Sequence, residues 1–412
     1  MNHSLYFHIP FCVQRCAYCD FNTYAGQENN IPAYLQALCR EVGLVGKSHI
    51  SGNDGMGKAT AHTVFFGGGT PSLLDPVQFE QILQVVHDSF EVLPEAEISL
   101  EANPGTLNLD SLRSLRTLGF NRLSLGVQSA HADELMLLGR IHDYSEVIDA
   151  VKWSRQAGFN NLNLDLIFGL PEQTLERWSK TLEQAMELEP EHLSLYALTI
   201  EHGTPFGRWA ASGRLPIPDP DLAAEMYEWA GEFLEGHGFV QYEISNWGRS
   251  KGEAGKMEAG AANPFYACRH NLQYWRGDPY LGFGAGAHGY AAGVRYSNVL
   301  RIKTYLQRLE KPVTAEASPG FPLSPAAAAH TRITRRTAMQ ETMLTGLRLT
   351  REGVSAQDFQ RRHGMELAEV FGKDIEELVR LGLLEWAEES RVKLTPRGRL
   401  LGNQVFIRFV GE

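Results

Sequence analysis

Three cysteines, Cys12, Cys16 and Cys19, stand within eight residues as C-x3-C-x2-C, and the other two, Cys39 and Cys268, are remote from them in sequence. Three thiolates this close suit a metal or an iron–sulfur cluster. Three ligands leave one iron of a four-iron cluster open, and an open iron is a place for chemistry. A single structural zinc needs a fourth protein ligand, and His8 is the nearby candidate. Unused thiols are the plainest alternative. Asp20, directly after the triplet, reads as a loop cap. Cys39, beside Leu38 in an expected helix, reads as core. Cys268 reads as a buried inert thiol or a soft ligand.

Other chemistry-bearing residues stand just after apolar runs: Gly67, Gly68, Gly69 and Thr70 in GGGTP, then Glu101, Gln128, Asp165 and Tyr196. The glycine run is at least a tight strand-to-helix turn and lacks the lysine of a phosphate-binding loop. Glu101 and Asp165 read as helix caps or as ligand contacts at strand ends. A surface salt bridge accounts for Arg140 as readily as a ligand does.

The elements that must position these residues follow a pattern. Apolar strands are expected at 4–9, 62–67, 97–104, 122–129, 162–169 and 192–199. Helices are expected at 31–45, 76–90, 109–119, 131–138, 144–157 and 174–187. Six short strands alternating with helices predict parallel βα units. In such folds the loops after the strand C-termini line the active site. The periodicity fits a partial barrel and an open sheet equally. Glycine, serine and lysine predict a loop over 46–61, and 249–264 reads as an exposed insertion. The domains expected are 1–202, an accessory region 203–311, a Pro-, Ala- and Ser-rich linker 312–332, and 333–412, where helices near 336–347, 355–362 and 373–382 precede a short two-stranded element in a winged-helix-like manner.

The 412 residues carry a formal charge of −11, and 331–412 hold 14 Lys+Arg against 12 Asp+Glu, a balance of +2. Neither figure makes a phosphate-binding face, so no nucleic acid is expected as a partner and the tail reads as an accessory domain. No apolar run is long enough for a membrane span, no secretory leader is evident, and the clustered thiols fit a reducing cytoplasm.

The segments YFHIPFC, FFGGGTPS, EANPG, LSLGVQS, LDLIFGLPEQT, YEISNW, HNLQYW and YLGFGAGAH, in this order and with Tyr18 before the third cysteine, resemble the radical S-adenosylmethionine (SAM) superfamily. Within it the chain is similar to the oxygen-independent coproporphyrinogen III oxidase-like group, most nearly its bacterial heme chaperone branch. The resemblance implies an α/β fold, a partial (β/α)6 radical SAM barrel with a C-terminal accessory region and a winged-helix-like domain. It implies a 4Fe-4S cluster on Cys12, Cys16 and Cys19, and SAM contacts from Tyr6, Tyr18, Gly68, Gly69, Thr70, Glu101, Gln128, Arg140 and Asp165. His270 and His288 would touch heme, with Tyr274 and Trp275 beside the macrocycle; the bland reading is a satisfied histidine among packed aromatics. Heme, a membrane-associated respiratory acceptor and an electron donor are the implied partners of a cytoplasmic protein peripherally associated with the membrane. Oxidising relatives carry a further cysteine where this chain has Asp20, which favours the chaperone branch. Coproporphyrinogen III oxidation, radical SAM modification of heme and a structural scaffold are the competing functions.

Overall fold

The structure is a computed structural model that describes residues 2–52, 57–251, 257, 260–310 and 319–410. Packing divides the chain into two units, Met1–Met226 with Pro279–Arg332, and Tyr227–Asp278 with Ile333–Glu412.

In the first unit six strands run in chain order: β1 (His3–Ile9), β2 (Ala59–Gly68), β3 (Phe90–Ala102), β4 (Arg122–Gln128), β5 (Leu162–Phe168) and β6 (His192–Ala197). Each pairs parallel with the next. Leu5, Phe7, Val64, Phe66, Leu100, Leu123, Leu125, Leu164 and Leu193 are fully buried, as strands packed on both faces require. The intervening helices are α1 (Ile31–Gly52), α2 (Pro76–Ser89), α3 (Leu109–Thr117), α4 (Ala132–Leu138), α5 (Tyr144–Gln156) and α6 (Leu175–Glu187). Their starts are written locally: Asp75 with Gln78, Asn108 with Ser111 and Asp143 with Glu146 form reciprocal caps, and Thr174 caps α6. On its other edge β1 pairs parallel with β7 (Tyr280–Phe283) rather than with β6, so the six-stranded barrel is incompletely closed. Three antiparallel strands extend that edge: β8 (His288–Ala291), β9 (Val294–Asn298) and β10 (Ala327–Arg332).

The βα alternation appears as the sequence predicts, with two differences. The predicted loop over 46–61 is helical to Gly52, and residues 53–56 lie outside the described residues. Gly46 marks close packing: a Cβ there would stand 2.6 Å from Ser89 Cβ at the end of α2. β3 starts at Phe90, before the expected 97. In this first part, FEVLP, only Phe90 is buried and the apolar alternation breaks at Leu93, so pairing with β2 alone reveals it. Of the linker predicted at 312–332, residues 312–318 lie outside the described residues, and Ala327–Arg332 pairs as β10. Most of 252–259, within the expected insertion, also lies outside the described residues.

The second unit contains a hairpin, Phe239–Glu243 with Asn246–Arg249, and a short helix, Arg269–Trp275. Its C-terminal part has helices Arg335–Gly346, Ala356–His363 and Leu367–Arg380 with an antiparallel sheet ordered Val354–Ser355, Arg391–Leu394, Leu384–Ala387. Met343, Leu347, Phe359, Ile375, Leu378, Val392, Leu394 and Phe409 fill its core. This is the winged-helix-like arrangement with one strand more than predicted; Val354–Ser355 is too short to show a period. The segment after 394 is helical at Pro396–Leu400 and Gly402–Phe406. Among the described residues no helix is long and apolar enough to cross a membrane.

Candidate cofactor site

A cavity of about 420 Å³ opens at the strand C-termini of the first unit, a size ordinary for small-molecule sites. Cys12, Cys16 and Cys19 line one side, together with Tyr18 and Asp20. The C-terminal ends of β2, β3 and β4 supply Gly68, Glu101 and Gln128, the turn after β2 supplies Gly69 and Thr70, the middle of β5 supplies Asp165, and Arg140 follows α4.

The cysteine loop is tied by main-chain bonds. Gly69 N–H donates to the Ile9 carbonyl (2.9 Å) and Thr70 N–H to the Phe11 carbonyl (2.8 Å). Ala17 N–H donates to Leu138 (3.0 Å), while the Ala17 carbonyl accepts from Phe206 N–H (3.0 Å). Cys12 is buried, and Thr70 Oγ1 lies 3.6 Å from its sulfur. Burial pushes the Cys12 and Cys19 thiols up. Arg140 Nη1 lies 3.7 Å from Cys16 Sγ, and its Nη2 donates to the Gly126 carbonyl (2.7 Å). Burial also raises the Tyr18 phenol, while Arg140 pulls it down.

His8 is not a fourth metal ligand here. Its Nε2 meets the Asn22 carbonyl and its Nδ1 the Tyr6 hydroxyl, both at 2.9 Å. The carbonyl requires Nε2–H, so Nδ1 accepts and no ring lone pair is free. Among the described residues no three His, Cys, Asp or Glu side chains converge on one metal-ion position.

Two carboxylates face the cavity in an unfavourable state. Glu101 accepts from Gly68 N–H (3.1 Å), yet burial and the charge of Asp165 raise its pKa to about 7. Asp165 accepts from Ser124 Oγ (2.8 Å) and Asn163 Nδ2 (2.9 Å), and burial still raises its pKa. A cationic ligand would relieve both. Arg140 Nε is buried without a hydrogen-bond partner, a donor left for an acceptor on a ligand. Gln128 is buried with φ +69°, where β4 and β5 shift register; a strained polar residue at a strand end is a common mark of a site. Three thiols, two cation-seeking carboxylates and a spare guanidinium donor fit an iron–sulfur cluster beside an amino acid derivative.

The structure thus brings together thirteen of the residues singled out from sequence: the three cysteines, Tyr18, Asp20, Gly68, Gly69, Thr70, Glu101, Gln128, Arg140, Asp165 and Tyr196. Tyr6 is not among the lining residues; it lies beneath, bonded to His8 and stacked on Phe65 at 24° between planes. His288 is exposed at the start of β8 in the first unit. His270 belongs to the second unit, 1% exposed, with Nε2 3.0 Å from the Tyr274 hydroxyl. Sequence reasoning passed over Asn103 and Ser124, which also line the cavity. Asn103 carried a usable signal: it follows the same strand end as Glu101.

A model of the radical SAM superfamily matches residues 6–185, and one of the HemN C-terminal domain matches residues 333–401. The chain is 38% identical over 411 residues to the heme chaperone HemW of Bacillus subtilis (strain 168), covering 99% of both chains. It is 36% identical over 411 residues to the heme chaperone HemW of Mycobacterium tuberculosis (strain ATCC 25618 / H37Rv), covering 99% of this chain and 95% of that one. Among solved structures, coproporphyrinogen III oxidase (HemN) from Escherichia coli, a radical SAM enzyme, has the same fold, with TM-score 0.78, 24% identity, and coverage of 99% of this chain and 90% of that chain.

Proposed function

The chain belongs to the HemW heme chaperone branch of the radical SAM superfamily, and from this we propose that it binds heme, a 4Fe-4S cluster and SAM and passes heme to an acceptor protein. The observation that carries the reading is similarity to named heme chaperones along the whole chain, supported by Asp20 at the cavity in the place of a further cysteine. Cys12, Cys16 and Cys19 would hold three irons. Bound, the cluster would supply an open iron for the amino and carboxylate groups of SAM, and an electron. Glu101 and Asp165 would accept from the cationic and hydroxyl parts of that ligand. Arg140 would donate to its carboxylate. Gly68 and Gly69 would let the backbone approach it. His270 and His288 are the heme-contact candidates, and the acceptor would be a respiratory protein at the membrane.

Anaerobic reconstitution with iron, sulfide, SAM and heme tests the proposal. About one heme per chain with a Soret band is expected, and its transfer to an acceptor apoprotein without chemical change. Failure to retain heme at micromolar protein overturns the proposal. So does turnover of coproporphyrinogen III to protoporphyrinogen IX, or loss of the heme spectrum with 5'-deoxyadenosine formed.

The two carboxylates give a pH dependence. Glu101 has a raised pKa, so it is neutral below about pH 7 and charged above it. A cationic ligand selects the charged form, and its affinity falls as pH falls. Between pH 8 and 6 SAM affinity should drop about tenfold, by equilibrium dialysis on the reconstituted protein. Glu101→Gln should bind more weakly and lose most of that slope; an unchanged slope would remove Glu101 from the role.

A further inference from the structure

The two heme-contact candidates stand in opposite surroundings. His270 is 1% exposed, with Nε2 engaged by the Tyr274 hydroxyl at 3.0 Å. His288 is exposed where β8 begins. An iron at the centre of a broad, flat macrocycle meets an exposed imidazole without any opening of the fold.

His288 stands beside the outer side of the cysteine loop. Asn22 Nδ2 donates to the Ala285 and Leu300 carbonyls, both at 3.0 Å, and the Tyr24 hydroxyl donates to the same Leu300 carbonyl (3.1 Å). Ala287 N–H donates to the Gly284 carbonyl (3.2 Å), and the Ala287 carbonyl accepts from Asn298 N–H (2.8 Å). These bonds gather the segments at 21–24, 284–288 and 298–301 on one surface of the first unit. His8, whose Nε2 meets the Asn22 carbonyl, has its pKa lowered by burial and, to a smaller degree, by the charge of His288.

That surface carries three kinds of group. Phe21 is 65% exposed and Leu300 58% exposed, large apolar side chains left in water. Arg15 and Arg301 are exposed cations. Burial raises the Tyr24 phenol, and the Arg301 and Arg15 guanidiniums pull it back, so both cations stand around one side chain. Arg15 is held by Nη2 bonds to the Cys19 and Phe21 carbonyls (3.2 and 3.4 Å). The imidazole of His288 is the third. Heme has the matching parts: a flat apolar ring, two carboxylates on one edge and an iron that takes histidine.

We propose that heme binds on this outer face of the first unit, with His288 on its iron, its ring over Phe21 and Leu300, and its two carboxylates on Arg15 and Arg301. The inference rests on reading the chain as a heme carrier. Arg15 and Phe21 also line the cavity, so the cargo sits at the mouth of the SAM site.

Heme and heme dimethyl ester, in which both carboxylates are masked, are titrated into the reconstituted protein. Wild-type protein should bind the ester about tenfold more weakly than heme, the worth of a charge-assisted hydrogen bond. Arg15→Gln with Arg301→Gln should weaken heme about tenfold and leave the ester unchanged. His288→Leu should shift the Soret band and remove the imidazole signature from the ferric electron paramagnetic resonance spectrum, while His270→Leu keeps both. Equal wild-type affinity for heme and ester overturns the proposal, as does an equal loss of both in the arginine variant. An unaltered spectrum in His288→Leu also overturns it, as does loss of the imidazole signature in His270→Leu instead. If wild-type protein binds no heme, the parent reading falls with the inference; if it binds heme and the His288 and arginine variants match it, the inference alone falls.

Discussion

Replacing Gly69 by alanine is expected to remove most of the iron that the protein takes up on anaerobic reconstitution. The added Cβ would stand 2.6 Å from the Phe11 carbonyl oxygen, and 3.0 Å from both the Ile9 carbonyl oxygen and Cys12 Sγ. Two of these three atoms are backbone, so no rotamer change relieves the clash. The same strand end makes the two bonds that tie GGGT to the cysteine loop, from Gly69 and Thr70 N–H to Ile9 and Phe11. Either those bonds lengthen or Cys12 moves, and a three-cysteine site tolerates no absent ligand. Iron content and visible absorption check this, with the combined Cys12→Ala, Cys16→Ala and Cys19→Ala variant as the blank. A full complement of iron with an unaltered spectrum in Gly69→Ala would refute the packing argument. Heme transfer intact in the triple variant would make the cluster a scaffold, the third of the competing functions.

The second large effect lies in the fold. Glu41 of α1 is 1% exposed. Its carboxylate accepts from Asn298 Nδ2 (2.8 Å), Ser324 Oγ (2.6 Å), Gly284 N–H (2.8 Å) and the Tyr305 hydroxyl (2.7 Å). One side chain thus joins α1 to the edge strands of the barrel. Burial raises its pKa in spite of these donors. Glu41→Ala leaves four buried donors without an acceptor, each worth roughly 1 kcal/mol or more, so a loss on the order of 4 kcal/mol is expected. The thermal midpoint for unfolding of the first unit, about 280 residues, should fall by roughly 7 °C in calorimetry. A shift of only a degree or two would mean that water replaces the carboxylate at little cost.

The βα alternation was legible because its signals are local, whereas the choice of a partial barrel over an open sheet came from the family resemblance. Each parallel strand is a short apolar run, and four of the six helices open on a side-chain cap such as Asp75 or Asp143. The strand ends then pointed to the cavity residues without any knowledge of contacts. What escaped has a non-local cause. The edge strands β7 to β10 are four to six residues long, too short to show a period, and β7 and β10 pair with β1 and β9 across long stretches of chain. The final turns of α1 look like a loop until Ser89 is seen against Gly46. Tyr6 stood next to the right residues in sequence, but strand alternation put its ring against Phe65 and His8. Asn103 is an ordinary polar residue until His142, thirty-nine positions later, fixes its amide.

The ties on the cysteine loop bear on how far a substitution elsewhere can reach. The loop is fastened to the ends of β1 and β2, to α4 and to the segment at Phe206 by main-chain bonds, none of which uses a thiol. Its shape is therefore borrowed from four separate stretches of the chain. A change that shifts any one of them is felt at Cys12, Cys16 and Cys19 without touching a cysteine.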